Sequence, residues 1–262
     1  MSAGDRADAV RALVGATRFA SIDWVRETGS TNDDLVASAE SDLAERVLIA
    51  DLQTAGRGRR GRSWDAPIDS GVLLSLLVRE ARGCSPFWTI GSVALGAAEA
   101  AASLIDADVG LKWPNDLLVD GRKISGVLAV GAHGAVVVGI GTNVNWHDGR
   151  PTGVPETATA LSEHAGGSID RVQFAARLIE RSSHWLDAPL DEVRRGWNGR
   201  CVTLGTRVRV ELDDDEALVG VAVEIAADGG LVVATDAGSR HVVHVGDVVH
   251  LRPAAEPLRP DE

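Results

Sequence analysis

Residues 46–53, RVLIADLQ, and 71–80, GVLLSLLVRE, read as two strands, and the segment between them, TAGRGRRGRSWDAPIDS, carries no helical pattern. That arrangement limits the fold more than any other feature. Gly56, Gly58 and Gly61 have the G-x-G-x-x-G spacing of a dinucleotide-binding turn, but such a turn needs a helix opening at its last glycine. Here Trp64, Pro67 and a strand follow, and no Lys-Ser or Lys-Thr follows to make a P-loop. What remains is a loop whose bare backbone admits close approach of a ligand. Its arginines, Arg57, Arg59, Arg60 and Arg62, supply charge-assisted hydrogen bonds to phosphate or carboxylate oxygens. A solvated Arg-Gly surface tract is the bland alternative, and the two flanking strands weigh against it.

The rest of the chain supports an α+β class. A short helix is expected over 6–15, a strand in IDWVRE, and a helix after GSTND, with Ser30 or Thr31 as its cap and Asp33 and Asp34 in its first turn. A long helix over 86–105 leads to VGLKWPNDLLVD, read as a strand broken by Pro114, then a DGRK turn and the strands ISGVLAVG and AVVVGIGTNVNW. The stretch HDGRPTGVPETATA reads as a surface loop, and 169–197 as two helices around Pro189. Together these form a mixed, mainly antiparallel sheet backed by helices. A boundary falls near residue 200, giving a first domain over 1–199. Residues 200–252 alternate valines with turns, the pattern of a small antiparallel barrel, and 253–262 form a flexible tail. No internal repeat is evident.

A net charge of −12 disfavours broad polyanion binding, so neither nucleic acid nor a membrane is an expected partner, and the arginine loop is a local positive site on an acidic body. Cys84 and Cys201 lack metal-ligand spacing and read as reduced, buried thiols. The N-terminus has no signal-peptide core. The longest apolar stretch, FWTIGSVALGAAEAAASLI, is interrupted by Ser92, Glu99 and Ser103, as in a buried helix; the expected address is cytoplasmic. His241, His244 and His250 lack zinc-site spacing, the DDDE run at 213–216 reads as a hairpin tip, and no serine lies in a G-x-S-x-G elbow.

Three further motifs carry chemistry. In GLKWPND, Lys112 ends an apolar strand and can hold its ammonium towards a cleft, where it suits negative charge developing during group transfer. Asn115 and Asp116 can orient it, bind a ribose hydroxyl or help hold a metal; an ordinary strand-edge turn is the alternative. In GRKISG, Arg122 and Lys123 offer secondary phosphate contacts or form a solvated turn. In GIGTNVNW, glycines on a buried strand allow close approach of a ligand, with Asn143 or Asn145 facing a nucleotide or its Mg²⁺.

Taken in order, GSTND, QTAGRGRRGRSW, GLKWPND, GRKISG and GIGTNVN resemble the biotin protein ligase family across about residues 27–146, and the valine-rich C-terminal segment resembles that family's SH3-like domain. The resemblance implies a class II synthetase-like catalytic domain, and a reaction in which biotin and MgATP give biotinyl-5'-AMP and pyrophosphate before a lysine of a biotin carboxyl carrier domain accepts the biotin. It implies biotin binding by Ser30, Thr31, Asn32, Gln53, Arg57, Gly58, Arg59 and Lys112. It implies adenylate binding by Arg57, Arg59, Arg62, Trp64, Lys112, Asn115 and Asn143, with Lys112 and Arg57 catalytic and Mg²⁺ arriving on the ATP phosphates. About 26 residues precede ETGSTND, too few for the winged helix of bifunctional members, so no operator binding is expected. Val130 stands where members often carry an acidic residue. A lipoate or octanoate ligase or transferase of related fold, and a noncatalytic biotin or adenylate sensor, are the competing readings.

Overall fold

The computed structural model describes residues 1–41, 43–79, 86–146, 149–211, 217–244 and 247–250. Cys84, the acidic run 213–216 and the tail 253–262 lie outside them. The chain divides into two units, Met1–Arg200 and Cys201–Glu262.

The first unit is built on a seven-stranded sheet of order β1-β2-β3-β7-β6-β5-β4. Its strands are β1 (Ser21–Thr28), β2 (Arg46–Gln53), β3 (Gly71–Val78), β4 (Gly110–Lys112), β5 (Asp116–Val119), β6 (Arg122–Ala132) and β7 (Ala135–Asn143). Only β1 and β2 are parallel, joined by a crossover through helix α2 (Thr31–Ser38); the remaining neighbours are antiparallel. Every residue of β3 is buried, as its unbroken apolar run requires of a central strand. Helix α3 (Pro86–Ala102), rich in alanine and glycine, packs on α4 (Arg171–Asp187), with α5 (Leu190–Arg200) beside it. Among the described residues no helix is long and apolar enough to cross a membrane.

Four local expectations change. Helix α1 runs over Ala3–Leu13 because Ser2 and Asp5 form a reciprocal capping box, with 3.1 Å from Asp5 N to Ser2 Oγ and 2.9 Å from Ser2 N to Asp5 Oδ2. The Ser2 backbone N–H holds the Asp5 carboxyl below its ordinary range. Helix α3 stops at Ala102 rather than 105. The segment around Pro114 is a hairpin and not one broken strand: β4 and β5 fold back through a cis Trp113–Pro114 bond, with Lys112 opposite Asp116. Finally, the end of the 147–160 segment is not surface loop. Ala158, Thr159 and Ala160 are buried, and Lys123 exchanges backbone bonds with Thr157 (2.7 Å) and Thr159 (2.9 Å) where β7 has ended its pairing.

Two arginines and two aspartates brace the base of the loop between β2 and β3. Asp51 on β2 is buried and meets Arg6 of α1, Arg171 of α4 at 3.1 Å and the indole N–H of Trp24 at 3.0 Å. The same arginines reach Asp69 just before β3, and both guanidinium groups lie 5.6–5.8 Å from the Trp24 ring centroid.

The second unit is an antiparallel sheet of order β11-β10-β9-β8-β12: β8 (Arg207–Glu211), β9 (Ala217–Ile225), β10 (Leu231–Ala234), β11 (Arg240–Val243) and β12 (Asp247–His250). Its core takes Val208 and Val210, alternate residues of β8, with Leu231, Val232 and Val233 of β10, all three buried. His244 pairs with Asp228 at 2.7 Å and holds that carboxyl below its ordinary range, while Arg207 does the same for Asp236 through two bonds of 2.9 and 2.6 Å. Cys201 is a buried cysteine.

Replacing Asp51 by alanine removes the buried acceptor of Arg6, Arg171 and the Trp24 indole and leaves the half-exposed Asp69 to both arginines. Urea unfolding of Asp51→Ala is expected to show a stability loss of about 1–3 kcal/mol.

Candidate functional site

The site begins where β1 and β2 end. Ser30 caps α2, accepting the Asp33 N–H at 3.4 Å, which settles the choice between Ser30 and Thr31. Thr31 is then free for another task. Its backbone N–H donates to Gln53 Oε1 at 2.8 Å, and its hydroxyl lies 2.9 Å from the same oxygen and 2.6 Å from the hydroxyl of Ser75. Ser75 in turn donates to Asn32 Oδ1 at 2.6 Å, and the Asn32 amide donates to Leu128 O at 3.3 Å. The three hydroxyl contacts share two hydroxyl protons. This buried network is therefore short of donors and suited to a ligand that presents N–H groups.

Ser75 was not among the expected site residues. The signal was present: it is the one hydroxyl in the otherwise apolar run of β3, and it is fully buried. Across the sheet Ser75 stands opposite Gly139. A Cβ there would sit 2.3 Å from Asn32 Oδ1, so the glycine is what lets Asn32 lie against the strand.

A second row of paired residues runs Leu73–Gly141–Gly126–Asp116–Lys112 across β3, β7, β6, β5 and β4. Directly paired residues share a sheet face, and so do residues two apart on one strand. Gly141 is two residues from Gly139, so this row shares its face with the Asn32 network. Trp64 lies on it: a Cβ on Gly141 would be 2.5 Å from the indole nitrogen, and one on Gly126 3.3 Å from the ring. The glycines expected to admit a ligand admit Asn32 and Trp64 instead. The Trp64 indole N–H is buried without a hydrogen-bond partner.

The arginine loop is a closed structure. Thr54 and Ala55 extend the β1–β2 ladder through bonds of 2.9 and 2.8 Å to Thr28 and Gly29, and Trp64 N–H returns to Gly56 O at 2.9 Å. Gly56 is required because a Cβ would lie 2.4 Å from Trp64 O, and Gly61 because its φ is +71°. The dinucleotide-like spacing thus records how the loop closes on itself. Arg60, with φ of 56°, sits at the tip. Arg57 pairs with Asp33 at 2.8 Å, Arg59 donates to Asn115 Oδ1 at 3.3 Å, and Arg62 Nε donates to Arg59 O at 3.3 Å.

Lys112 is half-buried at the end of the glycine row. Asn115 is held by Val127 on both sides, donating its amide to Val127 O at 2.7 Å and accepting Val127 N–H on its backbone oxygen at 2.9 Å. Its remaining oxygen faces Arg59, so Asn115 joins the Lys112 turn to the arginine loop. Asp116 pairs with Lys123 at 2.6 Å and Arg122 with Glu163 at 3.3 Å, so neither basic residue stands as a bare phosphate contact. Asn143 donates to Thr159 O at 3.1 Å at the end of β7. Asn145 is removed from the candidates: both ends of its amide are bound to the backbone of Ile169, at 2.8 and 2.9 Å.

The structure brings Thr31, Asn32 and Gln53 into one network capped by Ser30, joins Arg57 to it through Asp33, and sets Trp64 and Lys112 on one row with Asn115 linking Arg59 to it. Arg62 bonds within the loop. Among the described residues no three His, Cys, Asp or Glu side chains converge to hold a metal. Replacing Ser75 by alanine removes a proton from a network already short of them. Ser75→Ala is expected to lose about 1–3 kcal/mol in denaturant unfolding with the sheet intact by circular dichroism.

Comparison with known proteins locates relatives of both units. The sequence model of the Biotin/lipoate A/B protein ligase family matches residues 24–145, and that of the Biotin protein ligase C terminal domain matches 203–251. The biotin–[acetyl-CoA-carboxylase] ligase of Mycobacterium tuberculosis is 41% identical over 92% of this chain and 93% of its own length. The bifunctional ligase/repressor BirA of Bacillus subtilis is 30% identical over 75% of this chain and 63% of its own. Among solved structures, the biotin protein ligase of Aquifex aeolicus in complex with biotin and ATP aligns with a TM-score of 0.77 and 28% identity, covering 90% of this chain and all of that one.

Proposed function

This chain belongs to the biotin–[acetyl-CoA-carboxylase] ligase family of enzymes, and from that premise we propose that it makes biotinyl-5'-AMP from biotin and MgATP and transfers the biotin to a lysine of a biotin carboxyl carrier domain. The observation that carries the reading is the shared sheet face. A donor-poor polar network and a half-buried lysine lie on adjacent rows of it, beneath a loop rich in arginine.

Biotin's ureido ring presents two N–H donors and a carbonyl. The network of Thr31, Asn32, Gln53 and Ser75, capped by Ser30, offers the acceptors and hydroxyls that satisfy them. The biotin carboxylate attacks the α-phosphorus of ATP, the bond to pyrophosphate breaks, and a mixed anhydride forms. Lys112 neutralises charge on the carboxylate and α-phosphate, while Arg57, Gly58 and Arg59 line the linkage. In the second step the carrier lysine attacks the anhydride carbonyl and AMP leaves. Trp64 covers the adenine side, and Arg62 assists the phosphates. Asn115 acts through Arg59, and Asn143 lies at the nucleotide end of β7. Magnesium enters with ATP as part of the substrate, keeping most of its ligands from phosphate and water. We place the reaction in the cytoplasm, with neither nucleic acid nor membrane as partner.

The direct test is transfer of labelled biotin to a recombinant carrier domain by the full chain, with octanoate and lipoate run alongside. Label on the carrier that requires MgATP is the expected result. Acylation by octanoate or lipoate in its place would move the chain to the lipoate branch; biotin binding without transfer would make it a sensor. Lys112→Ala is expected to lower pyrophosphate release with biotin about 100- to 1,000-fold while the circular dichroism spectrum stays unchanged.

A further inference from the structure

We propose that Lys123 is a positioning residue that latches the closing end of the arginine loop to the turn carrying Lys112. The nucleotide part of this proposal rests on the ligase reading given above; the latch itself does not.

Lys123 occupies a junction. Its backbone is fixed by Thr157 and Thr159 at 2.7 and 2.9 Å, beside an irregularity in the β5–β6 register between Leu117 and Leu118. The side chain runs across Gly126, whose missing Cβ would lie 3.0 Å from the ammonium and 3.2 Å from the carbon before it. That path brings the ammonium within 2.6 Å of Asp116 Oδ1 and 5.4 Å of the Trp64 ring centroid. Both charged side chains are more than two-thirds buried, at 31% and 24% exposure, so solvent screens the contact less than at an open surface.

One cation therefore touches two parts of the site that are far apart in sequence. Trp64 ends the arginine loop, and Asp116 stands opposite Lys112 across the β4–β5 hairpin. Asn115 makes a parallel link to Arg59. Lys123 has a second effect. It neutralises Asp116, a carboxylate on the same row as Lys112, which unpaired would repel an incoming triphosphate. Loss of Lys123 should thus loosen the Trp64 end of the loop and weaken nucleotide binding while leaving the Thr31–Ser75–Asn32 network, one row away, intact.

The test uses the full chain with Lys123→Ala, Lys123→Arg and Asp116→Asn. Trypsin cuts after arginine, so cleavage at residues 57–62, followed by mass spectrometry, reports directly on loop opening and needs no substrate. Lys123→Ala is expected to speed that cleavage and raise the KM for ATP about tenfold, with the KM for biotin changed less than about twofold. Lys123→Arg, which keeps the charge and the stacking, is expected to restore both. Adding Asp116→Asn to Lys123→Ala should raise the KM by less than the product of the single effects. Unchanged cleavage at the loop, or KM values for ATP and biotin that rise together, would overturn the proposal. Should the wild-type chain show no ATP-dependent transfer, the ligase reading falls, and the cleavage rates of Lys123→Ala and Lys123→Arg still decide the latch.

Discussion

Three glycines on two adjacent strands determine how deep this site can be. A helix or loop packing on a sheet normally stands off by the length of the intervening side chains. At Gly139, Gly141 and Gly126 that spacing collapses, and Asn32 and Trp64 rest against strand backbone. The N-terminus of α2 and the end of the arginine loop are consequently held on one face, next to each other, and Lys112 reaches the same face from the far end of the row. Any side chain added at Gly139 or Gly141 would strike Asn32 or Trp64, so the polar network and the Trp64 contact depend directly on these positions.

The arginine loop is held from within an acidic chain. Arg57 leans on Asp33 and Arg59 on Asn115, while Arg6, Arg171, Asp51 and Asp69 brace the loop's base. Each contact draws on a residue outside the loop. Preorganisation of this kind lets a ligand meet guanidinium groups that are already oriented, so less ordering is required when it binds. It also means that an anionic ligand competes with Asp33 for Arg57, since both partners are accessible, with exposures of 66% and 48%.

Much of this was legible in the sequence because it is local. The bounds of β2, the strand that follows the loop with no α-helix between them, a helix cap at Ser30 or Thr31 and the order of the motifs all follow from patterns within a few residues. The rest depends on register. Ser75 acquires meaning only opposite Gly139, Asn145 is spent only because Ile169 returns beside it, and Lys123 joins Trp64 only because Gly126 lies between them. No local pattern encodes such pairings. The same holds for the WPND turn, where composition shows a break but not that the chain reverses to pair Lys112 with Asp116. The G-x-G-x-x-G spacing carries the opposite lesson: a familiar interval arose from the loop's own closure at Gly56 and from the turn at Gly61.

The proposed reaction assembles an acyl adenylate from biotin and ATP on this face. Exchange of labelled pyrophosphate into ATP by the full chain, with no carrier present, isolates that step. Exchange that requires biotin and that octanoate does not support is the expected result. A folded, biotin-binding chain that gave no exchange, or one that exchanged with octanoate alone, would contradict it.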